Sequence, residues 1–150
     1  MFVCTLKWNK KLVLLVIIAV ALILCALIIF SGSGGGAGGE QKVKNNEQRI
    51  EFLESLGWKV SSDAICEKSI IIPKEFSLVY KAYNELQKAQ GYDLSKYCGM
   101  EAVVYTYSIE NYSGYTGRVV ADLYVLNGTV IGGDVHSLAL DGFMHGLKKN

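Results

Sequence analysis

Four carboxylate or imidazole side chains crowd the last seventeen residues of the chain: Asp134, His136, Asp141 and His145. Two imidazoles and two carboxylates can ligate zinc, and a single His–Asp pair can pass a proton as general acid and base. Asp134 and His136 stand two apart, so on a strand they share one face, opposite Ile131 and Val135, and that face is expected to meet solvent. Asp141 and His145 are four apart and align only on a helix, against which Gly142 and Gly146 argue. The spacing fits no established metal motif, so it assigns neither a metal nor a cofactor.

Cys66 and Cys98 are the other reactive candidates. In oxidising surroundings they could pair, closing a loop of about 33 residues and adding about 3–4 kcal/mol in the chain-entropy model. The alternative is two thiols acting as small apolar side chains. No Gly-x-Ser-x-Gly, His-Glu-x-x-His or Cys-x-x-Cys occurs, so hydrolase, zinc-protease and thioredoxin-type readings lack their local signatures. Tyr112, Tyr115 and Tyr124 are candidates for a binding surface, since exposed tyrosines suit protein or carbohydrate contacts. Asn111-Tyr112-Ser113 and Asn127-Gly128-Thr129 fit the glycosylation pattern, which matters only in a eukaryotic secretory pathway.

These residues need elements to hold them. Residues 47–56 read as a short helix, with Asn46 as cap, Ile50, Leu53 and Leu56 on one face and Gly57 as stop. Extended chain begins at Trp58 and continues over Ala64–Ile72, up to Pro73. A second helix is expected from about Lys74 to Gln90, where Phe76, Val79, Tyr80, Tyr83 and Leu86 make a stripe that reads as core. From Met100 the period changes to two: Val103, Tyr105, Tyr107 and Ile109 share a face, and Val119–Leu126 and Thr129–His136 make two more strands. Asn127-Gly128 is the favoured two-residue hairpin turn. Gly132-Gly133 reads as a bulge or a close approach. The expected fold class is α+β, an antiparallel sheet of about four strands with two helices packed on one face.

The address comes from the other end. Leu12–Phe30 is nineteen apolar residues without a charge, preceded by Lys7, Lys10 and Lys11. At ~1.5 Å per residue such a helix spans a bilayer core ~30 Å thick. The lysines place residues 1–11 in the cytoplasm and the rest outside, with Trp8 at the inner interface. A cleaved signal would have a shorter apolar region of ~7–15 residues, although Ser31-Gly32-Ser33 could be cut. Lipidation at Cys25 is disfavoured because Leu24 stands where a small residue is needed. The span itself offers little polar chemistry with which to choose a partner.

Residues 31–45 read as a flexible leash, since eight of the nine residues Ser31–Gly39 are Gly or Ser. These glycines lack the strand and the Lys-Ser or Lys-Thr ending of a phosphate loop. Residues 46–150 remain as one extracytoplasmic domain. From residue 40 onward 12 basic side chains face 14 acidic ones, an excess of two negative charges. That argues against nucleic acid or anionic lipid as the main partner, because both demand clustered positive charge.

Three phrases carry a resemblance: Asn46–Trp58, Tyr83–Gln87 followed by Gly91–Leu94, and Gly132–Val135 with Leu140–Gly146. With them the chain resembles an uncharacterised family of Gram-positive bacterial membrane proteins. The resemblance implies one amino-terminal span and an outer domain of unknown function, and it supplies no catalytic residue. The functional expectation is a membrane-tethered extracytoplasmic binding or regulatory domain, acting on an envelope protein or polymer. The alternative is a small enzyme or metal site built on Asp134, His136, Asp141 and His145.

Overall fold

The computed structural model describes residues 41–149. The expected span Leu12–Phe30 and the leash from Ser31 to residue 40 lie outside the described residues. Among those described, no helix is long and apolar enough to cross a membrane.

Helix α1 covers Asn46–Ser55, and its cap is Asn45, one residue earlier than expected. The Asn45 side chain accepts from Gln48 N at 2.9 Å, and Gln48 Oε1 accepts from Lys44 N at 2.7 Å, so two otherwise unpaired amide groups are satisfied. The helix stops at Gly57, whose φ of 96° no β-carbon would favour, and Trp58 N closes back on Leu53 O at 3.1 Å. Strand β1 (Cys66–Ile71) follows, and then helix α2 (Leu78–Ala89). α2 begins four residues after the expected Lys74, because the Ser77 hydroxyl caps Tyr80 N. A short 3-10 turn at Leu94–Tyr97 leads into the sheet.

The sheet has five antiparallel strands rather than four, in the order of the chain: β1, β2 (Glu101–Ser108), β3 (Val119–Leu126), β4 (Thr129–Ser137) and β5 (Met144–His145). The two-residue β5 is too short to show a period. The β3–β4 hairpin turns at Asn127 and Gly128, with φ of 49° and 74°, both positive as a type I′ turn requires. The register slips between Tyr124 and Val125, where Ile131 is the extra residue, so the expected irregularity sits beside Gly132.

The helices lie on opposite faces of the sheet, not on one. α1 sends Phe52 and Leu53 into a core with Tyr107, Leu123, Val135 and Leu147. α2 and the 3-10 turn cover the other face, where Leu94, Ala102 and Ile131 are buried and Tyr80, Tyr83 and Tyr124 pack against them. Both faces are apolar enough to need a cover, which alternation read on one face alone does not reveal.

α2 also departs from the expected stripe. Its fully buried positions are Asn84 and Gln87, whereas Leu78 and Val79 are 85% and 80% exposed. The buried amides have work to do. Asn84 bonds Asp93 Oδ1 at 2.9 Å and Leu94 N at 2.8 Å, fixing the turn after the helix. Gln87 Oε1 accepts from Gly133 N at 2.9 Å, and Gln90 bridges Gly133 O to Leu147 N.

The domain starts before the expected residue 46. Val43 is 1% exposed, Val43 N donates to Gly128 O at 2.7 Å and Val130 N to Gln41 O at 2.8 Å. Residues 41–45 therefore belong to the fold and not to the expected leash.

Candidate functional site

The β3–β4 register sets Asp122 directly opposite Asp134, and His136 follows two residues on, all on the face that α2 covers. Asp134 is 2% exposed, so its expected exposure is overturned: α2 covers that face. Burying a carboxylate requires partners, and both oxygens have them. The Tyr83 hydroxyl donates to Oδ2 at 2.6 Å, and His136 Nδ1 lies 2.9 Å from Oδ1. Asp122, half-buried, accepts from the Thr106 hydroxyl of β2. Asp122, Asp134 and His136 each offer a donor atom, and these lie within 4.8 Å of one another.

Two like charges in a partly dry site oppose one another. Burial first, then the Asp134 charge, push the Asp122 carboxyl above its usual range, against the Thr106 bond. The hydrogen bond to Asp134 holds the His136 proton more firmly than usual, against the effect of burial. Burial raises the Tyr83 and Tyr124 phenols, Tyr124 to about 12, so both are neutral donors near neutral pH.

Beside this cluster runs an open groove of about 620 Å³. Val79, Ala82 and Leu86 of α2 form one wall, Met144 of β5 stands across from them, and Tyr80, Tyr83 and Tyr124 complete the lining. Tyr83 belongs to both features. His136 pairs with Met144 across β4–β5, which places the imidazole next to the groove's far wall.

The family model described as "Domain of unknown function (DUF4830)" matches residues 52–135, more than half of the chain. The chain belongs to this family. Neither a curated protein nor a solved structure matches it. The DUF4830 match includes Tyr83, Asp122, Tyr124 and Asp134 and stops one residue before His136.

The other expected residues are scattered through and around this DUF4830 fold. Asp141 is exposed in the turn between β4 and β5, apart from Asp134. His145 pairs with Val135 and faces the α1 side, where its Nε2 lies 3.1 Å from the Tyr112 hydroxyl. The four-residue cluster therefore splits, and only Asp134 and His136 stay together. Tyr112 stacks between Trp58 and Phe143, at 5.6 and 5.0 Å between ring centres, and Tyr115 meets Phe143 edge-on. Tyr124 lies on the opposite face, so the three tyrosines make no common surface.

Cys66 and Cys98 are both free and exposed. Cys66 pairs with Thr106, while Gly99 N bonds Ile72 O at the other end of β1. Five strand residues, roughly 17 Å, separate those ends, whereas a disulfide needs Cα atoms within ~7 Å. The fold does not bring the two thiols together.

Sequence reasoning missed Asp122, Thr106 and Tyr83 as members of the cluster. Asp122 left a signal: it is the only charge in the run Val119–Leu126. A lone carboxylate amid apolar strand residues calls for a buried partner.

Proposed function

We propose that this chain is a membrane-tethered extracytoplasmic binding or regulatory domain whose ligand lies in the groove between α2 and β5. The groove carries the reading. Its volume falls in the ~300–1,000 Å³ range of small-molecule sites, its lining is apolar, and phenols supply the few polar groups. The tether rests on the apolar run Leu12–Phe30 and the lysines before it.

The test is binding of a neutral fluorescent dye, Nile red, to the full chain in neutral detergent, compared with Val79→Glu/Met144→Glu. Both side chains are exposed, at 80% and 51%, so the exchange should leave unfolding unchanged while dye binding falls at least fivefold. Equal binding by the two proteins would sink the groove as a ligand site. Alkaline extraction of membranes tests the tether separately.

A second reading, a metal or acid–base site, is favoured by one observation. Asp122, Asp134 and His136 present a two-carboxylate, one-imidazole donor set, and the buried Asp134 fixes the ring through Nδ1. Asp141 and His145 have no part in it.

A further inference from the structure

The groove along α2 is unusual in what surrounds its mouth. Leu78, Val79 and Met144 are 85%, 80% and 51% exposed, although two of them line the groove or its rim and none has a polar group to show water. Scattered exposed apolar residues need no explanation, but a set gathered around an apolar cleft does. No charged side chain is among those lining it.

The polar groups at the floor restrict the occupant further. The Tyr83 hydroxyl is already committed to Asp134, and Asp122 lies opposite that carboxylate in the ladder. The lining offers no cation to hold an anionic head. The occupant that fits is an apolar chain laid against Val79, Leu86 and Met144, with any head group left outside the groove.

The length of chain before the domain says where such an occupant comes from. Ten residues separate Phe30 from Gln41, and ten residues reach at most about 35 Å even when fully extended. Under the tether reading proposed above, on which this inference rests, that length leaves the domain within reach of the bilayer surface. We infer that the groove formed by α2 and β5 takes an acyl chain of a bilayer lipid, with Leu78, Val79 and Met144 meeting the membrane face.

The test uses the full chain in phosphatidylcholine vesicles containing a phosphatidylcholine with a diazirine in its acyl chain. After irradiation and digestion, adducts are expected on peptides covering Leu78–Ala89 and Met144 as well as on Leu12–Phe30. In Val79→Glu/Met144→Glu the domain adducts should fall at least fivefold, with labelling of Leu12–Phe30 unchanged as internal standard. Adducts confined to Leu12–Phe30 would overturn the acyl-chain proposal while leaving the tether intact. Domain adducts equal in the variant would overturn it as well. Absence of adducts on Leu12–Phe30, with the chain failing to float with the vesicles, would overturn the tether reading and the bilayer as the source together.

Discussion

Tyr83 on α2 and Asp134 on β4, fifty-one residues apart, are joined by a 2.6 Å hydrogen bond in which the phenol donates to the carboxylate. The bond ties the helix to the sheet, and it satisfies half of a carboxylate that is otherwise 2% exposed. It also links the wall of the groove to the Asp134–His136 pair.

Tyr83→Phe removes that donor and leaves one Asp134 oxygen buried without its partner. The expected loss is about 1–3 kcal/mol of unfolding free energy, measured by urea denaturation. Asp134→Ala should cost less when added to Tyr83→Phe than when made alone, because the two residues act through one bond. Strict additivity of the two losses would show that the bond carries no coupling.

Stability should fall as pH rises above neutrality. His136 holds its proton more tightly in the folded chain, chiefly through its bond to Asp134. Its contribution is therefore complete below the ordinary histidine value of 6.5 and is lost as pH climbs through the raised folded value. Asp122 acts in the same sense in a lower window that opens above 3.8, since burial raises its carboxyl too. The melting temperature is expected to decline from pH 6 to pH 8.5, and His136→Gln to flatten that decline. A profile rising over this range in the wild-type chain would contradict the assigned pair.

How legible the fold was depends on whether each feature is local. The β3–β4 hairpin could be read because Asn127-Gly128 fixes its turn and the flanking strands alternate. The two sides of the sheet could not be assigned, because Val120 and Val104 are buried on one face while Ala121 and Tyr107 are buried on the other. Phe76 extended the apparent helical period past the true start, which the Ser77 hydroxyl sets. The site was half legible. Asp134 and His136 are near in sequence and remain together, but Tyr83 and Thr106 reach the cluster only through α2 docking and the β2–β3 register.

Gly133→Ala should destabilise the domain through packing alone. A β-carbon there would come within 2.5 Å of the Asp122 carbonyl oxygen and 2.7 Å of Leu147 Cδ1, and the backbone atom has nowhere to move within the ladder. Overpacking of this kind costs typically about 1–3 kcal/mol. Thermal unfolding checks it, with Asp141→Ala as the surface control expected to lie within about 0.5 kcal/mol of wild type. A variant as stable as the control would mean that β4 does not approach β3 and Leu147 this closely.

The metal reading makes a demand that the binding reading does not. Asp134 has one lone pair on each oxygen engaged, by Tyr83 and by His136, so an ion would have to share its remaining lone pairs with those bonds and draw its other donors from the imidazole Nε2 and Asp122. If the site is built for zinc, the full chain purified without a His tag should carry about one ion, and His136→Ala and Asp122→Ala should each lose it. Asp141→Ala and His145→Ala should retain it, since neither side chain joins the cluster. An ion bound only by the folded state stabilises it by about 2.7 kcal/mol at a hundredfold excess over Kd, so added zinc must raise the melting temperature of the wild type and not of His136→Ala. Zinc well below one ion per chain, with no such rise, would leave Asp122, Asp134 and His136 as a buried ion-pair network that braces the groove.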